Sequence, residues 1–134
     1  MTDLSKNMKI LFIVDAIICS IYAIFYLIIP ETFLQIVEYA YFDPVYWRHF
    51  GATALVIGLF CVIAVRRAKW EEVKVILEIG IVWVISILGI AIWEYFFIPA
   101  TVIGKINTLF VIILLIVVIC INIYLYIQEV NRKS

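Results

Sequence analysis

Four polar or ionisable side chains sit where chemistry or assembly must account for them. Asp15 lies within the apolar run Ile10–Ile29, Glu78 and Glu94 within Val75–Ile98, and Asn122 within Ile106–Ile127. A charged side chain at the centre of a membrane helix costs roughly 2.5–3.5 kcal/mol on insertion scales, so such groups face protein or water. At the helical rise, Asp15 falls about 7 Å to one side of its run's midpoint, Cys61 and Asn122 fall at a similar depth, and Glu78 lies deeper, at about 13 Å. The expectation is an inner polar layer of Asp15, Glu78 and Asn122. It serves either as a hydrogen-bonded clasp or, through Asp15, as a proton-carrying group. Glu78 has a further choice, pairing with Lys74 one turn earlier.

At the opposite end, Arg48 falls about 12 Å beyond the midpoint of the second run and Glu94 about 11 Å beyond that of the third. Consecutive runs with a short connection pack as antiparallel neighbours. An Arg48–Glu94 ion pair is therefore expected, with Glu31, Glu38 and Asp43 as competing anions and lipid phosphate as the bland alternative. The pair would close or orient a ligand site walled by Trp47, Trp93 and Tyr95. His49 points about 160° away from Gly51 around its helix and reads as an interface anchor. No catalytic residue is assigned, and the sequence leans away from an enzyme. It contains no H-E-x-x-H, no G-x-S-x-G, no phosphate-binding loop and no dinucleotide fingerprint. A single histidine cannot build a His-rich metal site, so no metal is expected and no cofactor is named. Cys19, Cys61 and Cys120 show no metal or redox spacing and read as small apolar packing residues.

The elements that must hold these groups follow from composition. The chain has 134 residues, a one-domain length covering 1–134, with 67% hydrophobic and 15% charged residues. Soluble domains carry about 45–50% and about 25%. The excess apolar surface must face lipid. Zero net charge gives a nucleic-acid role no electrostatic support. Four runs, Ile10–Ile29, Tyr46–Val65, Val75–Ile98 and Ile106–Ile127, are each long enough to cross a hydrocarbon core about 30 Å thick. They are rich in Ile and Val, yet too long and too uniformly apolar for strands. Asp15 interrupts what would be a signal-peptide core, so the first run reads as a retained helix.

The fold expected is all-α, a four-transmembrane-helix up-down bundle with a short outer interfacial helix. That short helix begins at Pro30, where Phe33, Leu34, Ile36 and Val37 oppose Glu31, Gln35 and Glu38. It would cover one mouth of the bundle. Gly51, Ala54, Gly58 and Cys61 form a narrow stripe on the second run, and Ala16, Cys19, Ser20 and Ala23 a similar one on the first. These are helix-packing seams, or the thin wall of a cavity. Lys6, Lys9, Arg66, Arg67, Lys69, Lys74, Arg132 and Lys133 share one side, against Arg48 and Lys105 on the other, which places both termini in the cytoplasm of a multi-pass cell-membrane protein. Aromatics mark the outer interface: Tyr22, Phe25, Tyr26, Tyr39, Tyr41, Phe42, Tyr46, Trp47, Phe50, Trp93, Tyr95, Phe96 and Phe97. Trp70, Glu71 and Glu72 cap and anchor the third run.

The segment from Arg48 to Gly58 reads R-x-x-G-A-x-x-L-x-x-G. Together with Pro30-Glu31 directly after the first run, it resembles the DoxX-like group of small four-helix membrane proteins, over residues 25–65. The resemblance implies the same four-helix fold. Some DoxX-like proteins are linked with quinone or thiol redox chemistry as membrane subunits, but this chain has no paired-cysteine motif. Three functional classes follow. The preferred one is a protein that binds a lipid-like or quinone-like molecule, or serves as a membrane-complex subunit. The alternatives are a small dimeric proton-coupled transporter and a membrane-embedded enzyme with a carboxylate acid/base. Expected partners are the bilayer and a hydrophobic small molecule, with a homo-oligomer or larger membrane complex left open.

Overall fold

Three of the four long helices start where the sequence supplies a side-chain partner for their first free N–H groups. In the computed structural model, which describes residues 3–39 and 43–133, Ser5 opens α1 (Lys6–Ala23) by accepting from the Met8 amide. Asp43 opens α3 (Pro44–Arg67) by accepting from the Val45 and Tyr46 amides, with Pro44 in the first helical position. Thr101 opens α5 (Val102–Lys133) by accepting from the Gly104 amide. The helix between them, α4 (Trp70–Phe97), carries Glu71 and Glu72 in its first turn, where the helix dipole favours anions. Among the described residues there is no strand, only an isolated antiparallel bridge between Asp3 and Lys69.

The fold is an all-α four-helix bundle. Lys6–Ile28, Pro44–Arg67, Trp70–Phe97 and Val102–Arg132 are long and apolar enough to cross a membrane. Going round the bundle, α1 packs on α3, α3 on α4, α4 on α5 and α5 on α1. The tightest pairs are α1 with α3 and α4 with α5. The first pair closes through the small-residue stripes: a Cβ at Gly58 would stand 3.1 Å from the Cys19 Cβ and 3.6 Å from the Ala16 carbonyl. The outer surface is a girdle of Ile, Val and Phe, including Ile17, Leu59, Val82, Phe110 and Val117. The sequence placed Tyr41 and Phe42 in the aromatic set; both lie outside the described residues.

The two ends of the bundle are built differently. At the end holding the chain termini, Met8, Phe12, Ala64, Val73 and Leu77 form a core that water does not reach. The N-terminal residues clasp it from below. Leu4 donates its amide to the Ala68 carbonyl, Asp3 pairs with Lys69, and Arg132 reaches the Asp3 carbonyl at 2.7 Å. That contact with Asp3 holds the Lys69 ammonium above the usual lysine range. At the other end α1 widens into a π-helical turn, Ile24–Ile28, before α2 (Pro30–Ile36) folds back over the bundle. Leu34 and Pro30 turn inward and Ile36 turns out, so the buried face of α2 is narrower than its apolar residues suggest. Glu38 then takes a left-handed backbone, φ 50°, and its carbonyl lies 2.9 Å from where a Cβ on Gly104 would stand. The chain thus crosses from α2 to the start of α5, which brings Tyr39 over the bundle's centre.

Candidate functional site: a central cavity

Between the α1–α3 and α4–α5 pairs lies a cavity of about 370 Å³. Small-molecule sites occupy about 300–1,000 Å³. Asp15 and Asn122 stand at its floor, and Glu94, Tyr39, Tyr26 and Asn107 at its roof. Along α1, Asp15 and Tyr26 are eleven residues apart, about 16 Å of rise, so the cavity is longer than it is wide. Its walls are mainly aliphatic on α5 and, Trp83 apart, on α4, and carry most of the aromatic side chains on α1 and α3.

The floor has few hydrogen bonds. Asn122 donates through Nδ2 to the Val118 carbonyl at 3.0 Å and to Asp15 Oδ1 at 3.5 Å. The first bond fixes the amide's orientation, since only the NH₂ can donate to a carbonyl. The second is at the limit of a hydrogen bond. Cys19 and Cys61, far apart in sequence, both line the cavity near Asp15 as free thiols. Immediately below, Phe12 and Leu77 belong to the packed terminal core and seal the floor.

The roof is aromatic. Tyr26 stacks on Trp47 at 4.9 Å, Tyr39 meets the same indole edge-on at 4.8 Å, and Phe50 stacks on Trp83 at 5.9 Å. The Tyr39 hydroxyl faces the Glu94 carboxylate. Burial, and then that carboxylate, push the Tyr39 hydroxyl well above the ordinary tyrosine range, so it stays a donor at any physiological pH.

Two sequence expectations are corrected here. Arg48 does not pair with Glu94: its guanidinium meets Glu31 Oε1 at 2.6 Å, across the π turn from α3 to α2. The physical reason is the fold-back of α2, which delivers an anion to Arg48 closer than α4 can. The Glu31 carboxyl is held below the usual range, by its own backbone amide first and by Arg48 next. A double-mutant cycle should give a favourable coupling for Arg48→Ala with Glu31→Ala and none for Arg48→Ala with Glu94→Ala, read as shifts in melting temperature. A coupling confined to the second pair would contradict the observed geometry.

The inner layer is the second correction. Asp15 and Asn122 meet, but Glu78 does not join them. It accepts from the Tyr126 hydroxyl at 2.7 Å and lies 3.6 Å from the Lys74 ammonium, on the α4–α5 seam. Glu78 and Glu94 are sixteen residues apart, about 160° around α4, so one faces the cavity only if the other does not.

Of the aromatic residues expected to wall a ligand site, Trp47 does so. Trp93 faces outward beside Phe97, and Tyr95 takes Lys105 against its ring and its carbonyl. His49 is exposed, away from the cavity. Gly51, Ala54 and Gly58 are buried in the α1–α3 seam, and Ala54 also lines the cavity.

Trp83, Tyr26, Tyr39 and Asn107 are cavity residues that sequence reasoning missed. The periodicity held the signal. Gly80, Trp83, Ile87 and Glu94 fall within about 60° of one another on α4, and Asn107 and Asn122 within about 60° on α5. Glu129 was also missed. It is 2% exposed and accepts from the Ser5 amide at 3.2 Å and from Arg132 at 2.6 Å. Among the described residues no three His, Cys, Asp or Glu side chains gather as a metal site.

A scan against protein-family models and searches of curated proteins and of solved structures found no match to this chain.

Proposed function

We propose that this is a multi-pass integral membrane protein, with both termini in the cytoplasm, that holds one elongated hydrophobic molecule in its central cavity. The observation that carries the reading is the cavity itself, about 370 Å³, walled by apolar and aromatic side chains with polar groups at its two ends. A molecule shaped like a lipid chain or an isoprenoid quinone matches that distribution: long apolar contact, terminal hydrogen bonds. The sealed floor supports holding rather than conducting, since Phe12, Leu77 and the clasped terminal core lie between Asp15 and the cytoplasmic end. The girdle of exposed Ile, Val and Phe supports a lipid environment, because a soluble monomer rarely exposes apolar patches of that extent. The resemblance to DoxX-like proteins supports the four-helix fold on which this reading rests, with service as a subunit of a membrane complex as a further arm of the same proposal.

Two measurements test the proposal. Native mass spectrometry of protein extracted gently with its lipids should find a one-to-one adduct that survives removal of bulk lipid. Bare protein under the mildest activation would contradict it. For the topology, single-cysteine probes in a cysteine-free background should label from outside at Thr101 and not at Ser134. The reverse pattern would overturn the assignment, which rests on the eight-to-two division of Lys and Arg between the two sides.

A further inference from the structure

The cavity's charge is one-sided. Its lining includes the carboxyl groups of Asp15 and Glu94, and among the described residues it includes no Lys, Arg or His. The nearby cations are committed elsewhere: Arg48 to Glu31, and Lys105 to the Tyr95 carbonyl and ring. Glu94 has Tyr39 as a partner. Asp15 has one long bond, 3.5 Å, from Asn122. A carboxylate offers about four acceptor positions, so most of Asp15's capacity is unused by protein. The Asn122 amide is oriented by its bond to the Val118 carbonyl, which leaves its oxygen without a hydrogen bond among the described residues. The floor therefore presents two unfilled acceptors, the Asp15 carboxylate and the Asn122 amide oxygen. Between the floor and the polar roof at Glu94, Tyr39 and Asn107, about 16 Å of rise, the lining is mainly apolar or aromatic.

The geometry points to a single-chain amphiphile with a protonated amine head as the occupant, its ammonium on Asp15 and Asn122 and its chain along the cavity toward Trp47 and Trp83. This rests on the reading that the cavity holds a hydrophobic molecule, and it narrows that molecule's chemistry. An ammonium brings three donors and a charge to these unfilled acceptors, and charge-assisted bonds of this kind are short and strong. A fatty acid or a lipid phosphate would set an anion against Asp15. A quinone carbonyl is itself an acceptor and finds at the floor only the weak S–H donors of Cys19 and Cys61 and the amide hydrogens already bonded to Asp15 and Val118. An alcohol head brings one donor and no charge.

Three probes of one chain length separate these cases: dodecylamine, dodecanol and dodecanoic acid, each added to delipidated protein and read as the retained adduct in native mass spectrometry. The amine should be retained at least about tenfold more than the acid, with the alcohol between them. Asp15→Asn, which keeps the side chain's shape, should bring the amine down to the level of the alcohol. Glu78→Gln, whose carboxylate lies outside the cavity, should leave the amine where it was. Equal or better retention of the acid would overturn the ammonium assignment and leave the cavity reading standing. So would amine retention untouched by Asp15→Asn, or lost equally in Glu78→Gln. Retention of none of the three would overturn the cavity reading as well. A melting profile for each variant establishes that loss of adduct is not loss of fold.

Discussion

Leucine at Gly51 is expected to prevent the protein from being recovered as a folded species, and alanine there should cost about 3 kcal/mol or more. A Cβ on Gly51 would stand 2.6 Å from the Leu27 backbone nitrogen and 2.8 Å from the Tyr26 carbonyl carbon. Both obstacles are main chain, in the π turn that continues α1, so no side chain can rotate away. Overpacking in a core costs about 1–3 kcal/mol when neighbours can adjust, and here they cannot. Relief would require α3 to leave the π turn, which would unstack Tyr26 from Trp47 and dismantle the cavity's roof. Gly80 makes the comparison. A Cβ there meets nothing within 4 Å, so Gly80→Ala should gain about 0.8–1 kcal/mol of helix propensity. Unfolding in graded mixtures of denaturing and mild detergent should place the two variants on opposite sides of the wild type.

Glu129→Ala should lower stability by about 2–3 kcal/mol, the second-largest effect expected. Its carboxylate is shut away from solvent and bonded to the Ser5 amide and to Arg132. Removing it takes the acceptor from the half-buried Ser5 N–H, and bonds to a charged partner contribute about 1.5–3 kcal/mol. Arg132 is half exposed and can turn to water, which keeps the loss below that of a fully buried pair. The variant should also free the N-terminal clasp, so amide exchange should rise first at Leu4 and Ser5. Glu72→Ala is the contrast. Its contact with Arg67 is 3.5 Å and open to solvent, and its loss should be under about 1 kcal/mol.

Which features the sequence disclosed depends on how local their causes are. Each apolar run became a helix because run length and backbone self-satisfaction are properties of one segment. The helices extend past the runs, α4 beginning at Trp70 rather than Val75 and α5 running to Lys133 rather than Ile127, since dipole-favoured charges, Glu71 and Glu72 at the start of α4 and Arg132 near the end of α5, hold turns that hydropathy alone does not mark. Depth arithmetic also worked where two residues lie on opposite walls of one cavity, as with Asp15 and Asn122. It failed for Arg48, where depth gave Glu94 but the fold-back of α2 supplied Glu31 first. It failed for Glu78, whose depth was right but whose face was wrong. Tyr39 was legible only as an interface aromatic. Its place over the cavity depends on the left-handed turn at Glu38 and its packing against Gly104, a contact between residues far apart in sequence. Glu129 carried no signal in the sequence, and only the N-terminal segment folding beneath it makes it a buried anchor.

The central claim is that the cavity between the helix pairs is a binding site, and two glycines on one helix test it most directly. Gly80 lines the cavity, Gly89 does not, and a Cβ at either meets nothing within 4 Å. Leucine at each position should be accepted by the fold and should improve helix propensity alike, but only Gly80→Leu fills the site. Retained hydrophobic adduct is measured by native mass spectrometry on wild type, Gly80→Leu and Gly89→Leu, all extracted under the same conditions. The account predicts a one-to-one adduct on wild type and Gly89→Leu, lost from Gly80→Leu with its melting temperature unchanged or raised. An adduct that persists undiminished on a folded Gly80→Leu would contradict it.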